Sequence, residues 1–103
     1  MAVKIIAQGK SLYAFLEGEI DHHTAAKIRP IIDDALIGHC PQELVLDFSA
    51  VTFMDSSGIG LVMGRFRAAQ AQNCKVRILN VHERDMRVMK MSGLAKIVEF
   101  GRC

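Results

Sequence analysis

The 103-residue sequence has no tryptophan, only two prolines and only three cysteines. The cysteines are odd in number, lie far apart and form no C-x-x-C pair, which argues against the disulfide framework of a small secreted domain. No apolar run reaches the length of about 18 residues that a membrane span needs, and the N-terminus lacks the charge and apolar segment of a signal peptide. These absences predict a cytoplasmic protein that does not bind a membrane.

Charge of one sign is not concentrated anywhere in the chain. Thirteen Lys and Arg residues oppose eleven Asp and Glu residues, for a net charge of +2, and no basic run occurs. A nucleic-acid partner is therefore not expected. The length suffices for one domain and not for two, and half of the residues are hydrophobic, so we expect residues 1–103 to form one domain around one core.

The motifs of common enzymes and cofactor sites are missing. The sequence has no G-x-S-x-G element, and Gly58, Gly60 and Gly64 follow a G-x-G-x-x-x-G spacing that matches neither a dinucleotide fingerprint nor a phosphate loop. His22 and His23 invite a metal interpretation, but adjacent helical residues point in different directions and no third ligand has suitable spacing. We therefore expect no cofactor, no metal and no catalytic role.

Strand and helix patterns alternate along the chain. Short apolar or alternating runs predict strands at residues 3–8, 11–17, 43–48, 75–81 and 96–100, the first two paired as a hairpin. Apolar residues at helical spacing predict helices at about 22–38, 56–72 and 83–91. This order predicts an α/β fold, a mixed four- to five-stranded sheet packed with helices.

Several residues that begin, interrupt or end helices refine this pattern. Asp21 is a candidate N-cap of the first helix and Gly38 its candidate stop. Pro30 removes one backbone donor inside that helix, so a kink or a split is expected there. Residues 49–54 are interpreted as a connector, and Gly93 is expected to end the third helix in the left-handed conformation.

The start of the second helix carries the most informative group of residues. Asp55, Ser56 and Ser57 can each cap a helix, which is one interpretation of their presence. The other is that a hydroxyl here accepts a phosphate, which the positive end of the helix dipole tolerates. For Gly58 and Gly60 two interpretations likewise stay open, close packing on the sheet or close approach of a partner.

Four segments together resemble the STAS-domain anti-sigma-factor antagonists. They are G-E-I-D-H-H-T-A at 18–25, F-M-D-S-S-G-I-G at 53–60, G-R at 64–65 and M-S-G-L-A-K-I at 91–97. The resemblance covers nearly the whole chain and implies a STAS-like fold. The D-S-S-G motif is common to many STAS domains, whereas the D-H-H-T-A match favours the sporulation branch over the stress-response branch.

The resemblance also implies a function. The unphosphorylated antagonist would bind an anti-sigma factor that is also a serine kinase and so release the sigma factor. Phosphorylation at Ser56 would end this binding, and a serine phosphatase would restore it. The implied partner-binding residues are Asp21, His22, His23, Thr24, Asp55, Ser56, Ser57, Gly58, Ile59 and Gly60. These residues form two groups, one around Asp21 and one around Asp55. Because strand ends gather in α/β sheets, we expect the two groups to lie at the same end of the sheet.

Two alternatives stay open. One is a STAS module of another circuit, such as a stress-response antagonist. The other is a small nucleotide-binding or nucleotide-hydrolysing protein, against which the missing phosphate loop argues.

Overall fold

One mixed sheet with helices packed on it makes up the computed structural model, which describes residues 2–101. The strands are β1 (Val3–Gln8), β2 (Ser11–Ile20), β3 (Glu43–Met54), β4 (Lys75–Leu79) and β5 (Glu99–Gly101). The helices are α1 (His22–His39), α2 (Ser56–Gln70) and α3 (Glu83–Met91), followed by a 3-10 turn at Leu94–Lys96. The sheet order is β1-β2-β3-β4-β5, antiparallel between β1 and β2 and parallel elsewhere. The predicted α/β class with a mixed sheet is confirmed.

The core lies between one face of the sheet and the helices α1 and α2. Alternate residues of β2 and β3 point to this face, because side chains alternate along a strand. They are Leu12, Ala14, Leu16, Leu44, Leu46 and Phe48, all buried. Ile28, Ile32 and Leu36 repeat at four-residue spacing along α1 and are buried in the same cluster. Burial of a Leu or Ile side chain contributes about 1.5–3 kcal/mol, so burial on this face contributes substantially to the stability of the fold.

The interpretation of residues 49–54 as a connector is wrong, since β3 continues to Met54. This segment pairs with the end of β2, where Glu17 lies opposite Ala50 and Ile20 opposite Met54. The strand β2 correspondingly runs three residues beyond its predicted end at 17, through irregularities in the pairing with β3. The extension was not predicted because it depends on pairing between distant segments, and its exposed residues obscure the alternation.

Helix α1 is continuous through Pro30, so the predicted split does not occur. Pro30 and Ala26 are both exposed, and the Ala26 carbonyl that lacks its helical donor can bond to water. The predicted stop at Gly38 is also wrong. The helix runs to His39, and Cys40 ends it in the left-handed region, with φ 45° and a hydrogen bond of 3.0 Å from its N–H to the Leu36 carbonyl.

The C-terminal third follows the predicted order of elements, although β4 ends at Leu79, two residues before its predicted end at 81. Helix α3 has the predicted bounds, and Gly93 is left-handed as expected, with φ 87°. The strand predicted at 96–100 starts later, at Glu99, because residues 94–96 form the 3-10 turn that buries Leu94. None of the helices within residues 2–101 is both long enough and apolar enough to cross a membrane.

Candidate functional site

The starts of α1 and α2 lie side by side at one end of the sheet. Ile20 and Met54 are paired at the ends of the parallel strands β2 and β3, so the residues that follow them leave the sheet together. The N–H of Asp55 donates to the carbonyl oxygen of Ile20 over 3.2 Å, which ties the second helix start to the first. The predicted gathering of the two segments at one end is therefore confirmed.

An aspartate caps each of the two helices. Asp21 accepts a hydrogen bond of 2.8 Å from the Thr24 N–H, and Asp55 accepts one of 2.8 Å from the Ser57 N–H. The Thr24 backbone bond, followed by a bond from the Thr24 side chain, lowers the pKa of Asp21 below its ordinary value. Hydrogen bonds to the carboxylate favour its charged form, which is the form that caps the helix.

Ser56 is the first residue of α2 and is exposed. Within residues 2–101 its hydroxyl makes no hydrogen bond, since Asp55 performs the capping. Ser57 differs in being half-buried, with its N–H bound to Asp55. The hydroxyl of Ser56 is thus exposed, and an approaching group would break no hydrogen bond of this hydroxyl within residues 2–101.

Gly58 and Gly60 have different surroundings. Gly58 is buried, and a Cβ at this position would collide with the side chain of Met54 and lie 3.6 Å from Ile20. Its missing side chain lets the start of α2 pack over the ends of β2 and β3, which favours the packing interpretation for Gly58. Gly60 is exposed, and a Cβ there would have nothing within 4 Å, so it leaves room at the surface.

The other members of the predicted site are mostly at the surface. His22, His23 and Asp55 are exposed, while Asp21, Thr24 and Ile59 are half-buried. Among these, His22 lines a cleft between α1 and α2 together with Ser57 and Gly60. The structure therefore brings residues of both sequence segments into one surface.

Sequence reasoning missed an aromatic residue at the end of β3. Phe53 is 50% exposed, beside the Asp55 cap, which is unusual for a side chain of its size. Its exposure was hidden because residues 49–54 were interpreted as a connector. Aromatic side chains often anchor protein interfaces, but Phe53 alternates along β3 with Met54, which points towards α2, so the exposed ring lies on the opposite face of the sheet.

Arg65 was also missed as part of a site. It is only 5% exposed, and its Nε lies 2.8 Å from Oδ1 of Asp33 on α1. Burial lowers the pKa of Arg65, and the nearby Asp33 carboxylate opposes this effect. The sequence offered one signal, an arginine among the inward-facing positions of an otherwise apolar helix.

Comparisons with known proteins show which family the chain belongs to. A family model described as the STAS domain matches residues 4–102. The anti-sigma F factor antagonist of Paenibacillus polymyxa is 35% identical over 83 residues, which are 81% of this chain and 71% of that protein. The anti-sigma F factor antagonist of Lysinibacillus sphaericus is 37% identical over 79 residues, which are 77% and 68% of the two chains.

Solved structures show the same relationship. The anti-sigma factor antagonist SpoIIAA in its unphosphorylated form matches with a TM-score of 0.83 at 31% identity, covering 96% of this chain and 87% of that one. The phosphorylated form of SpoIIAA, a Bacillus cell fate determinant, matches with a TM-score of 0.76 at 31% identity, covering 96% and 90%. On its fold, its family match and these relatives, the chain belongs to the STAS-domain family of anti-sigma factor antagonists.

Proposed function

We propose that this chain is a cytoplasmic antagonist that binds an anti-sigma factor with serine kinase activity, and that phosphorylation of Ser56 switches this binding off. The observation that carries the proposal is the exposed Ser56 hydroxyl at the first position of α2, beside a cap that uses Asp55 instead. The existence of phosphorylated and unphosphorylated forms of the related SpoIIAA supports it.

The chain supplies an acceptor in this reaction and not the catalytic groups. The γ-phosphoryl group of ATP passes to the Ser56 hydroxyl oxygen, the hydroxyl proton is lost and ADP leaves the kinase. A serine phosphatase hydrolyses the ester and regenerates the hydroxyl. The positive end of the α2 dipole favours the added negative charge, so the helix start stays folded in both states.

Charge explains why the modification would end binding. A phosphate adds about −1.5 to −2 of charge at neutral pH, directly beside the exposed Asp55 carboxylate. Pressing this charge into a partner surface removes it from water and brings it near any opposing carboxylate. A loss of about 4 kcal/mol corresponds to roughly a thousandfold in affinity, which suffices to dissociate the complex.

The test is phosphorylation of matched serine variants by the cognate kinase with ATP, with the phosphate located by peptide mass spectrometry. Wild type and Ser57→Ala are expected to be phosphorylated at Ser56. Ser56→Ala is expected to accept no phosphate and to bind constitutively, and Ser56→Asp to bind weakly. A phosphate on Ser57 would overturn the assignment, and full binding by the phosphorylated protein would overturn the switch.

A second experiment tests whether the α1 start belongs to the binding surface. Asp21→Ala is expected to weaken binding to the anti-sigma factor, while the loss of the N-cap lowers the melting temperature by no more than about 4–8 °C and leaves the chain folded. The control is Asp34→Ala, which removes an exposed carboxylate farther along the same helix. Equal affinities of Asp21→Ala and wild type would remove Asp21 from the surface.

A further inference from the structure

A cleft of about 330 Å³ separates α1 from α2 beside the proposed phosphorylation site. Its α1 wall includes Ala25 and Ala26, and its α2 wall includes Gly60 and Gly64. A Cβ added at either glycine would have nothing within 4 Å. Packing on the sheet thus accounts for Gly58 but not for Gly60 and Gly64, which leave open space above the helix.

The residues that line this cleft carry positive charge and no negative charge. Arg29 from α1 and Arg65 and Arg67 from α2 line it, together with His22 at its α1 end. Arg29 and Arg67 are exposed, so their guanidinium groups can move to meet a ligand. Asp33 offsets the charge of Arg65, so the net positive charge of the cleft comes from Arg29 and Arg67, and it attracts an anion.

Arg65 gives the independent reason to expect a ligand. The residue is 5% exposed, and within residues 2–101 its Nη1 atom is buried without a hydrogen-bond partner. Its Nε faces Asp33 Oδ1 at 2.8 Å, but at an angle outside that of a regular hydrogen bond. Buried donors that stay unpaired cost free energy, and the planar guanidinium fork matches two carboxylate oxygens.

We propose that this α1–α2 cleft receives an acidic side chain, a Glu or Asp carboxylate, of the protein partner. The occupant follows from charge complementarity and from the position of the cleft, since His22 and Ser57 belong both to it and to the candidate partner surface. The inference rests on the proposed function and deepens it. A phosphate on Ser56, next to Ser57, would repel the same carboxylate and draw the arginines away from it.

The first test is a nuclear magnetic resonance titration that needs no partner protein. The isotope-labelled chain is titrated with the peptide acetyl-Glu-Glu-Glu-amide, with acetyl-Gln-Gln-Gln-amide and with inorganic phosphate. We expect the Glu peptide alone to shift the backbone amide signals of Gly60 and Gly64 in a saturable way. Response to phosphate without response to the Glu peptide would assign the cleft to a free anion, and response to none of the three would remove it as a binding site; either result overturns the proposal.

Matched variants separate cleft charge from general charge. The double variant Arg29→Gln/Arg67→Gln removes two exposed charges of the cleft, and the α3 control Arg87→Gln/Lys90→Gln removes two exposed charges of α3. The double variant is expected to lose the response to the Glu peptide, and the α3 control to keep it. Because all four positions are exposed, the variants are expected to stay folded, which a far-ultraviolet circular dichroism spectrum checks.

The second test uses the anti-sigma factor itself. The double variant is expected to bind it about tenfold more weakly than wild type, with a smaller dependence on salt, because charge pairs at a partly exposed interface are screened by ions. Equal affinities would overturn the proposal. A different result would be that the anti-sigma factor binds neither wild type nor the double variant, while the Glu peptide still binds the cleft of wild type. In that case the proposed function fails and the carboxylate preference of the cleft stands.

Discussion

The N–H of Asp55 donates a hydrogen bond to the carbonyl oxygen of Ile20, 3.2 Å away. Ile20 ends the strand that leads into α1, and Asp55 caps α2, so this bond joins the two helix starts directly. The side chain of Asp55 is left to bind the Ser57 N–H. One residue thus fixes both the position and the first turn of the helix that carries Ser56.

Substitution of Gly58 tests how tightly this helix start is packed. Gly58→Ala is expected to lower the free energy of unfolding by about 1–3 kcal/mol, because the new methyl group overlaps Met54. The matched control Gly60→Ala has open space and is expected to raise it by up to about 1 kcal/mol, since Ala favours the helix. Urea unfolding measures the free energy of unfolding of both variants. Equal values would contradict the close packing of Gly58 against Met54.

The ion pair between Asp33 and Arg65 can be tested with a neighbouring carboxylate as control. Asp33→Asn leaves the buried guanidinium without a counter-charge and is expected to cost about 1–3 kcal/mol of unfolding free energy. Asp34→Asn changes an exposed residue and is expected to stay within about 0.5 kcal/mol of wild type. Chemical denaturation at neutral pH distinguishes the two variants. If Asp33→Asn leaves the unfolding free energy unchanged, water rather than Asp33 stabilises the charge of Arg65.

The low pKa of Asp21 predicts a pH dependence of stability. Since the folded-state pKa lies below the ordinary value of 3.8, Asp21 stabilises the fold fully above that value and loses this contribution as pH falls through the folded pKa. Asp21→Asn keeps a good N-cap but cannot titrate. The difference in unfolding free energy between wild type and Asp21→Asn should be constant near neutral pH and shift against wild type in acid. If the unfolding free energies of the two proteins change in parallel over the whole pH range, the lowered pKa of Asp21 is contradicted.

Replacement of Pro30 tests the cost of a proline inside a continuous helix. Pro30→Ala restores the N–H that can bond to the Ala26 carbonyl, and the gain in stability is expected to be no more than about 1 kcal/mol because the native helix has adapted to the ring. Lys27→Ala, at another exposed position of α1, serves as control for the change to alanine. A loss above about 3 kcal/mol would mean that the chain requires the proline.

Local signals in the sequence predicted those features that depend on neighbouring residues. The hairpin of β1 and β2, the cap at Asp21 and the bounds of α3 depend on alternation, helical spacing and capping chemistry, all of which act within a few residues. The gathering of the two helix starts followed from strand order. These features locate the candidate surface without coordinates.

Features that depend on distant contacts were not predicted. The extension of β3 to Met54 requires the end of β2, and the burial of Arg65 requires Asp33 on another helix. Cys40 rather than Gly38 takes the left-handed position, although glycine adopts it with less strain. The resemblance named the residues of the two motifs, but the basic cleft between them appears only when α1 and α2 are packed together.

Because Asp55 and not Ser56 caps α2, a group attached to the Ser56 oxygen breaks no hydrogen bond within residues 2–101. Under the proposed function, the two forms would then differ in stability only through the electrostatic effects of the phosphate on the α2 dipole and on Asp55. The ratio of the two forms would depend on the rates of the kinase and the phosphatase. The surface charge of the chain population would then report the balance of these two rates, without a change of fold.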